Sequence, residues 1–347
     1  MYGCALSACG GSTATTSGEN GSFKLSIVPL VSDFVGAAPH IDDKLVDAWG
    51  LEFGDPGRIW VNNSDGYSTV YDGTGKVVMI PDASGKQVPL AVKVPVPNDP
   101  DGDAQAPLTG MVFSKAREFD GDAFVFASEQ GTLAGWNPSM YNQAVMRVDN
   151  SAKGAVYKGL TSASTPQGAR LYAANFAQGT IDVFDQHYKP VIASGQFKDP
   201  QILGNYAPFN VKAMDGKIYV AYAEQSIDKQ NDDGAVGHGY VDVFDYNGNL
   251  LKHLISNGVL NSSWGMAIAP SDFGSMSNKL LVSDFRDGYI HVFDPNSGQL
   301  LGQVMQIDQL WSLTFGTDNG AGKHNQLFFS AGPSSEETGL FGRLDLA

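Results

Sequence analysis

Short apolar runs alternate with Gly, Asn and Asp turns along most of the chain, and the alternation has period two, not the 3.6 of an amphipathic helix. The pattern predicts strands. One unit recurs: an apolar strand, a turn, a second strand, and a third ending in aromatic-Asp. Second strands begin at Arg58 (RIWVNNS), Ala123 (AFVFASE), Arg170 (RLYAANF), Lys217 (KIYVAYA), Lys279 (KLLVSDF) and Gln326 (QLFFSAG). Three of the gaps between them are 47 residues, and the others are 62 and 65. Inner-strand candidates precede them: AWGLEF from Ala48, LTGMVF from Leu108, YKGLT from Tyr157, FNVKAM from Phe209, WGMAIA from Trp264 and LWSLTF from Leu310. Third strands read most plainly as GTIDVFD from Gly179, GYVDVFD from Gly239 and GYIHVFD from Gly288. Asp72, Asp185, Asp245 and Asp294 then fall where a side chain can bond the backbone of its own hairpin turn.

Six units predict an all-β, six-bladed β-propeller. The last unit ends with GLFGRLDLA, one strand short, while Lys24–Val31 (KLSIVPLV) has strand character and no partner of its own. Placing that N-terminal strand in the last blade closes the ring and removes an unpaired edge. The domain expectation follows: a truncated signal, lipobox and tether over 1–22, and one propeller over 23–347. β-Branched and aromatic enrichment disfavours a helical repeat.

Composition agrees with a turn-rich β fold, with 42% apolar residues and 41 glycines. A formal net charge of −15 excludes a phosphate backbone as partner, because no basic stripe exists to release its counterions. The only cysteines are Cys4 and Cys9, so the folded body has no disulfide. Leu6-Ser7-Ala8-Cys9 fits a bacterial lipobox, which predicts lipidation of Cys9 and attachment to the cell envelope, at the outer membrane or cell surface. Eight residues before Cys9 are too few for a complete export signal, so the chain is read as starting within one. No segment has the roughly 18 uninterrupted apolar residues of a membrane span. The membrane enters only through the lipid, and a monomer is expected.

LVDAWGLEF, STVYDGTGK, LTGMVF, SEQGTLAGWNP, LYAANFAQGTIDVFD, YAPFNVKA, GYVDVFDYNGN, WGMAIAP and LWSLTFG follow one another in an order that resembles an uncharacterised family of exported bacterial propellers. Some of its members end in a PEP-CTERM sorting tail, which is missing after Ala347. The blades are more distantly similar to NHL repeats and to propeller lactonases. The resemblance implies a fold and an extracytoplasmic address, and no activity.

No GxSxG elbow, Walker loop, HExxH helix or paired CxxC occurs. The six histidines are scattered over non-equivalent blade positions, which disfavours a multi-histidine iron site. In propellers, the loops before the inner strand and after the second strand converge on one end of the channel. That rule selects Asp47, Trp49, Thr109, Lys158, Asn210, Trp264 and Trp311, then Asn63, Asp65, Glu129, Asn175, Tyr222, Glu224, Asp284 and Arg286. Among these, Trp49, Asn63, Thr109, Tyr222, Trp264 and Trp311 are the ligand-binding candidates. Glu129, Asn175, Asn210 and Asp284 are candidate oxygen ligands for calcium or another divalent cation. Indoles in such a set stack on rings or simply pack, and carboxamides bind cations or bond neighbouring loops. Asn98-Asp99-Pro100-Asp101-Gly102-Asp103 resembles a calcium loop but lacks the glycine and glutamate of an EF-hand. The insertion from Gln225 to Gly239 is long enough to cover the channel mouth. The function expected is a binding or scaffold module for an unknown small molecule, glycan or protein. A metal-dependent hydrolase or lactonase at the channel mouth is the alternative.

Overall fold

The computed structural model describes residues 13–16, 23–82, 84–99, 102 and 104–347. Cys9 and its lipobox lie outside the described residues. Six antiparallel sheets form six blades, each written here from the inner strand outwards. Blade 1 comprises Ala48–Gly54, Arg58–Asn63, Tyr67–Tyr71 and Ala91–Lys93. Blade 2 comprises Leu108–Phe113, Phe124–Ser128, Thr132–Trp136 and Val145–Asp149. Blade 3 comprises Tyr157–Thr165, Gly168–Asn175, Thr180–Asp185 and Pro190–Val191. Blade 4 comprises Tyr206–Met214, Lys217–Glu224, Gly239–Phe244 and Leu250–Ser256. Blade 5 comprises Ser263–Ile268, Leu280–Asp284, Tyr289–Phe293 and Leu300–Gln306.

Blade 6 takes Leu310–Phe315, Leu327–Ala331 and Leu340–Leu346 from the C-terminus and its fourth strand, Phe23–Ser32, from the N-terminus, and Thr13–Thr16, within the segment expected as tether, pairs antiparallel outside it. The closing strand runs antiparallel to Leu340–Leu346, from Leu25 opposite Leu346 to Ser32 opposite Leu340. Phe23, Leu25, Leu30 and Val31 are buried there, so closure removes apolar surface as well as an edge. The predicted ring closure is the one found.

All six inner strands carry a register shift near their start, at Ala48/Leu51, Leu108/Met111, Tyr157/Leu160, Pro208/Asn210, Ser263/Met266 and Leu310/Leu313. A bulge bends a strand and frees a backbone group, and here the freed carbonyls meet side chains of adjacent blades. Asn62 donates to Thr109 O at 3.0 Å, Thr109 Oγ1 to Tyr157 O at 2.8 Å, and Asn210 Nδ2 to Trp264 O at 2.6 Å. Ser283 Oγ donates to Trp311 O at 2.8 Å, and Ser330 Oγ closes the circle on Trp49 O. The blades approach so closely that a Cβ on Gly110 would lie 2.3 Å from Leu160 N. Apolar clusters fill the seams between blades, as where Trp60 stacks on Phe124 at 4.0 Å.

The turn aspartates act as predicted. Asp72, Asp185 and Asp245 each accept two backbone N–H groups of their own turn, and Asp294 accepts those of Asn296 and Ser297. The longer spacing from blade 1 to blade 2 holds a ribbon of Met79–Pro81 with Gln87–Pro89, inserted between the third and outer strands of blade 1, and then the acidic segment. Asp101 and Asp103 of that segment lie outside the described residues. Asp99 accepts Gly102 N and Ala104 N, an ordinary turn.

Candidate functional site at the channel mouth

One end of the channel is closed by rings. Trp49 of blade 1 and Trp311 of blade 6 stack with centroids 3.7 Å apart, Phe285 stacks on Trp311 at 3.9 Å, and Trp264 meets both indoles edge-on. Phe176 and Phe209 complete this cluster. The aromatic faces are occupied by one another, so the plug presents little ring surface to a ligand.

Asp47 holds the plug together. Its buried carboxyl accepts the indole N–H of Trp49 at 2.5 Å and that of Trp311 at 2.9 Å, joining the first blade to the last. The contact is tight, since a Cβ on Gly332 would lie 2.1 Å from Asp47 Oδ1. Burial, followed by the charge of Glu336, pushes the Asp47 carboxyl up to about 8 against the pull of the two indoles. Asp47 is therefore mostly a neutral acid at pH 7.

Lys158, only 3% exposed, lies 5.0 Å from the Trp49 ring centroid and forms an ion pair with Glu129. Its ammonium is thus held by a carboxylate and by the negative faces of the plug. Above it opens a cavity of about 240 Å³ lined by Asp47, Trp49, Ser64, Pro107, Glu129, Lys158, Asn231, Asp232, Trp311 and Glu336. Asp232 is fixed from behind, accepting Arg286 Nε at 2.7 Å and the Ser262 hydroxyl at 2.5 Å. Glu336 stands at the rim on a loop where Ser334, Ser335 and Glu336 are all left-handed. Its carboxyl is raised by the protein packed round it, with Lys158 opposing and Glu129 and Asp232 adding to the push.

Every lining residue lies just before or at the start of an inner strand, or beyond a second strand. The loops named by the convergence rule thus share one cavity. Of the residues it selected, Asp47, Trp49, Glu129, Lys158 and Trp311 line the cavity. The insertion predicted to cover the mouth contributes Asn231 and Asp232. Ser64, Pro107 and Glu336 were not selected. Glu336 had only one signal, the long Gly332 to Gly339 connection within the last blade.

The remaining candidates serve other neighbours. Asn63 Nδ2 donates to Val61 O, Tyr67 O and Thr69 Oγ1. Asn175 donates to Gln178 and to Asp182 at 3.0 Å, and accepts Val156 N. Thr109 and Asn210 lie in the seams already described. Asp284 accepts the Ser263 hydroxyl and faces His291 Nε2 at 2.9 Å. Tyr222 is buried on blade 4. The four proposed oxygen ligands are each engaged by different partners. Among the described residues, the His, Asp and Glu groups compact enough for a metal are Asp284, Asp287 and His291, and Asp199, Asp242 and His253.

No family model matches the chain. Among solved structures, a Bacteroides thetaiotaomicron protein of unknown function aligns with TM-score 0.54 at 11% identity, over 94% of this chain and 78% of that one. A streptogramin B lyase aligns with TM-score 0.50 at 12% identity, over 94% of this chain and 98% of that one. Both likenesses concern the fold alone. Uncharacterized protein R648 of Acanthamoeba polyphaga mimivirus is 29% identical over 335 residues, covering 91% of this chain and 78% of the relative. Uncharacterized protein L690 of the same virus is 30% identical over 339 residues, covering 91% of this chain and 84% of the relative. The six-bladed chain described here thus belongs to one family with these uncharacterized mimivirus proteins.

Proposed function

We propose that this propeller is a binding module that takes a small, polar, amine-bearing ligand in the cavity above the tryptophan plug. The observation that carries this reading is the lining: three carboxylates, from Glu129, Asp232 and Glu336, beside the neutral acid Asp47 and against the single ammonium of Lys158. Acids concentrated in a concave, partly desolvated site attract a cation more strongly than the same acids spread over a surface. At about 240 Å³ the cavity lies just below the roughly 300–1,000 Å³ of drug-sized pockets, which suits a small ligand. Binding is favoured over catalysis because most of the acidic groups already have protein partners: Glu129 has Lys158, Asp232 has Arg286, and Asp47 has two indoles, which leaves the Glu336 carboxylate for a ligand. Trp49 and Trp311 form the floor, so fluorescence reports occupancy. Titration with ethanolamine, choline and glucosamine should give saturable changes that glucose does not, whereas a response equal for charged and neutral compounds would count against the reading.

A catalytic reading has one observation behind it, the Asp47 carboxyl raised to about 8 and therefore able to donate a proton at neutral pH. The streptogramin B lyase is a fold neighbour, and lyase or lactonase chemistry at this mouth is the form such an activity would take. A calcium-dependent version through Glu129, Asn175, Asn210 and Asp284 has less support, since each has protein partners of its own.

The proposed address is the outside of a bacterial cell, through lipid on Cys9, in keeping with the resemblance to exported bacterial propellers. The lipobox supports it, while the mimivirus relatives lend it no support. Among the described residues no helix is long and apolar enough to cross a membrane. In a chain carrying its full upstream signal, Cys9→Ser should abolish incorporation of labelled fatty acid and release the protein from membranes. Retention after a high-salt wash would point to another attachment.

A further inference from the structure

Blade 4 carries a second convergence of acids on its sheet face. Asp242 lies on its third strand, His253 on its outer strand, and Asp199 in the connection that enters the blade from blade 3. The side chains of Asp199 and Asp242 are wholly buried, and that of His253 is 16% exposed. His253 Nδ1 stands 2.7 Å from Asp199 Oδ2 and 2.8 Å from Asp242 Oδ1. One ring nitrogen carries at most one proton, so it can donate to only one of these oxygens. The opposite nitrogen, Nε2, is 2.5 Å from Ser256 Oγ. A bond of that kind orients a ligating imidazole, and donation from Nε2–H leaves the Nδ1 lone pair facing both carboxylates.

Two more buried atoms, Asp242 Oδ2 and the Tyr222 hydroxyl, have no well-formed hydrogen bond, though the hydroxyl lies close enough to the carboxylate to interact with it. Tyr222 sits two residues beyond Val220, the β-partner of Asp242, so hydroxyl and carboxylate share one face of the sheet. Charge decides what fits. Among the described residues, Asp199 and Asp242 form ion pairs only with His253. An imidazolium neutralises one of two buried carboxylates, whereas a divalent cation with neutral histidine neutralises both.

The geometry points to a structural divalent-cation site, zinc before manganese, held by Asp199 Oδ2, Asp242 Oδ1 and His253 Nδ1 with the Tyr222 hydroxyl as fourth donor. One imidazole nitrogen among oxygen donors suits such an ion, with bonds of about 2.0–2.2 Å. Tetrahedral coordination at that length separates donors by about 3.3 Å, so metal binding lengthens the two His253 contacts by about half an ångström. The burial leaves no open position for substrate. The ion instead clamps the blade 3 to blade 4 connection onto the blade whose insertion supplies Asn231 and Asp232 to the mouth.

Asp284, Asp287 and His291 of blade 5 form the comparison site. There the Ser263 hydroxyl donates to Asp284, and the Asn261 amide and Tyr289 N–H donate to Asp287, while Asp284 Oδ2 and both His291 nitrogens are buried without a well-formed hydrogen bond, so only the variants tell the two groups apart. The test uses untagged full-length chain purified without chelator, analysed for metal by mass spectrometry, then stripped and titrated with zinc chloride and manganese chloride. One zinc per chain is expected, with a melting temperature that falls by more than about 5 °C on stripping and returns with zinc. Asp199→Asn and His253→Gln should lose the ion, and Asp287→Asn should keep it. A chain with metal no higher than a blank and a melting temperature indifferent to chelator and zinc would overturn the site. So would an ion lost in Asp287→Asn but kept in Asp199→Asn. The wild-type stripping and readdition decides whether the chain holds such an ion even where a variant fails to fold.

Discussion

Two sets of polar groups behave differently around the ring. Within blades, the residue that ends the second strand reaches towards the third: Asn63 to Thr69, Ser128 to Thr132, Asn175 to Asp182 and Asp284 to His291. Each first partner sits two residues beyond an equivalent β-pair, Val61 with Thr69, Phe126 with Ala134, Ala173 with Asp182 and Val282 with His291. At the mouth, Asp47, Glu129, Lys158, Asp232 and Glu336 come from five blades and share no repeated position. A group that recurs from blade to blade answers a need common to blades, here the satisfaction of a strand end. A group that does not recur answers a need of the single axis. Recurrence thus separates scaffold from site.

The largest expected effect concerns the scaffold as a whole. Removing residues 1–32 deletes Phe23, Leu25, Leu30 and Val31 from the last blade. At about 1.5–3 kcal/mol for each buried side chain, the loss is comparable with the total stability of a domain, about 5–15 kcal/mol. That truncation should fail to fold cooperatively, while removal of residues 1–20 should leave the thermal transition nearly in place. Similar melting curves for the two would refute the closure.

Next comes the ladder inside a blade. Asp182→Ala removes the acceptor of the Tyr157 hydroxyl at 2.9 Å and of Asn175 Nδ2 at 3.0 Å. Leaving the Tyr157 hydroxyl without an acceptor, and Asn175 Nδ2 with Gln178 alone, should cost on the order of 2 kcal/mol in urea unfolding. Occupancy of the mouth should be unchanged.

Asp47 sharpens the comparison from the other side, through pH. Its folded pKa of about 8 lies above the ordinary carboxyl value of 3.8, so between those values the folded state holds a proton that the unfolded state has lost. Stability from this group is full below about pH 4 and falls as pH rises towards 8. Asp47→Asn removes the titration, so the wild type should lose more stability than the variant between pH 5 and pH 8, by a few kcal/mol (on the order of 3). Parallel pH profiles would mean that Asp47 ionises normally.

The repeat made the fold readable because six copies of one strand pattern leave few ways to misplace a blade, and a final unit one strand short revealed the closure. That Asp47, Glu129 and Lys158 share one cavity was readable for a related reason: blade topology dictates which loops share an end. Their roles were not. In sequence Trp49, Trp264 and Trp311 fit ring platforms or packing at the channel mouth, and the structure stacks Trp49 on Trp311 with Trp264 edge-on to both. Asn210 and Thr109 look like site residues, yet bulged carbonyls of neighbouring blades claim them. The histidines were judged by spacing alone, which hid the approach of His253 to Asp199 across 54 residues of chain. Contacts between distant segments depend on the pleat and on connections whose course no local pattern encodes.

The smallest effect on stability accompanies the most direct test. Glu336 stands on the rim with its backbone N–H held by Gln309, so Glu336→Gln should change unfolding free energy by less than about 0.5 kcal/mol. Fluorescence titration with the amine-bearing ligands, run side by side on Glu336→Gln and Asp182→Ala, measures the separation of site from scaffold. The account predicts weaker binding by at least about tenfold in Glu336→Gln and wild-type affinity in the less stable Asp182→Ala. Undiminished affinity in Glu336→Gln, or equal losses in both, would contradict it.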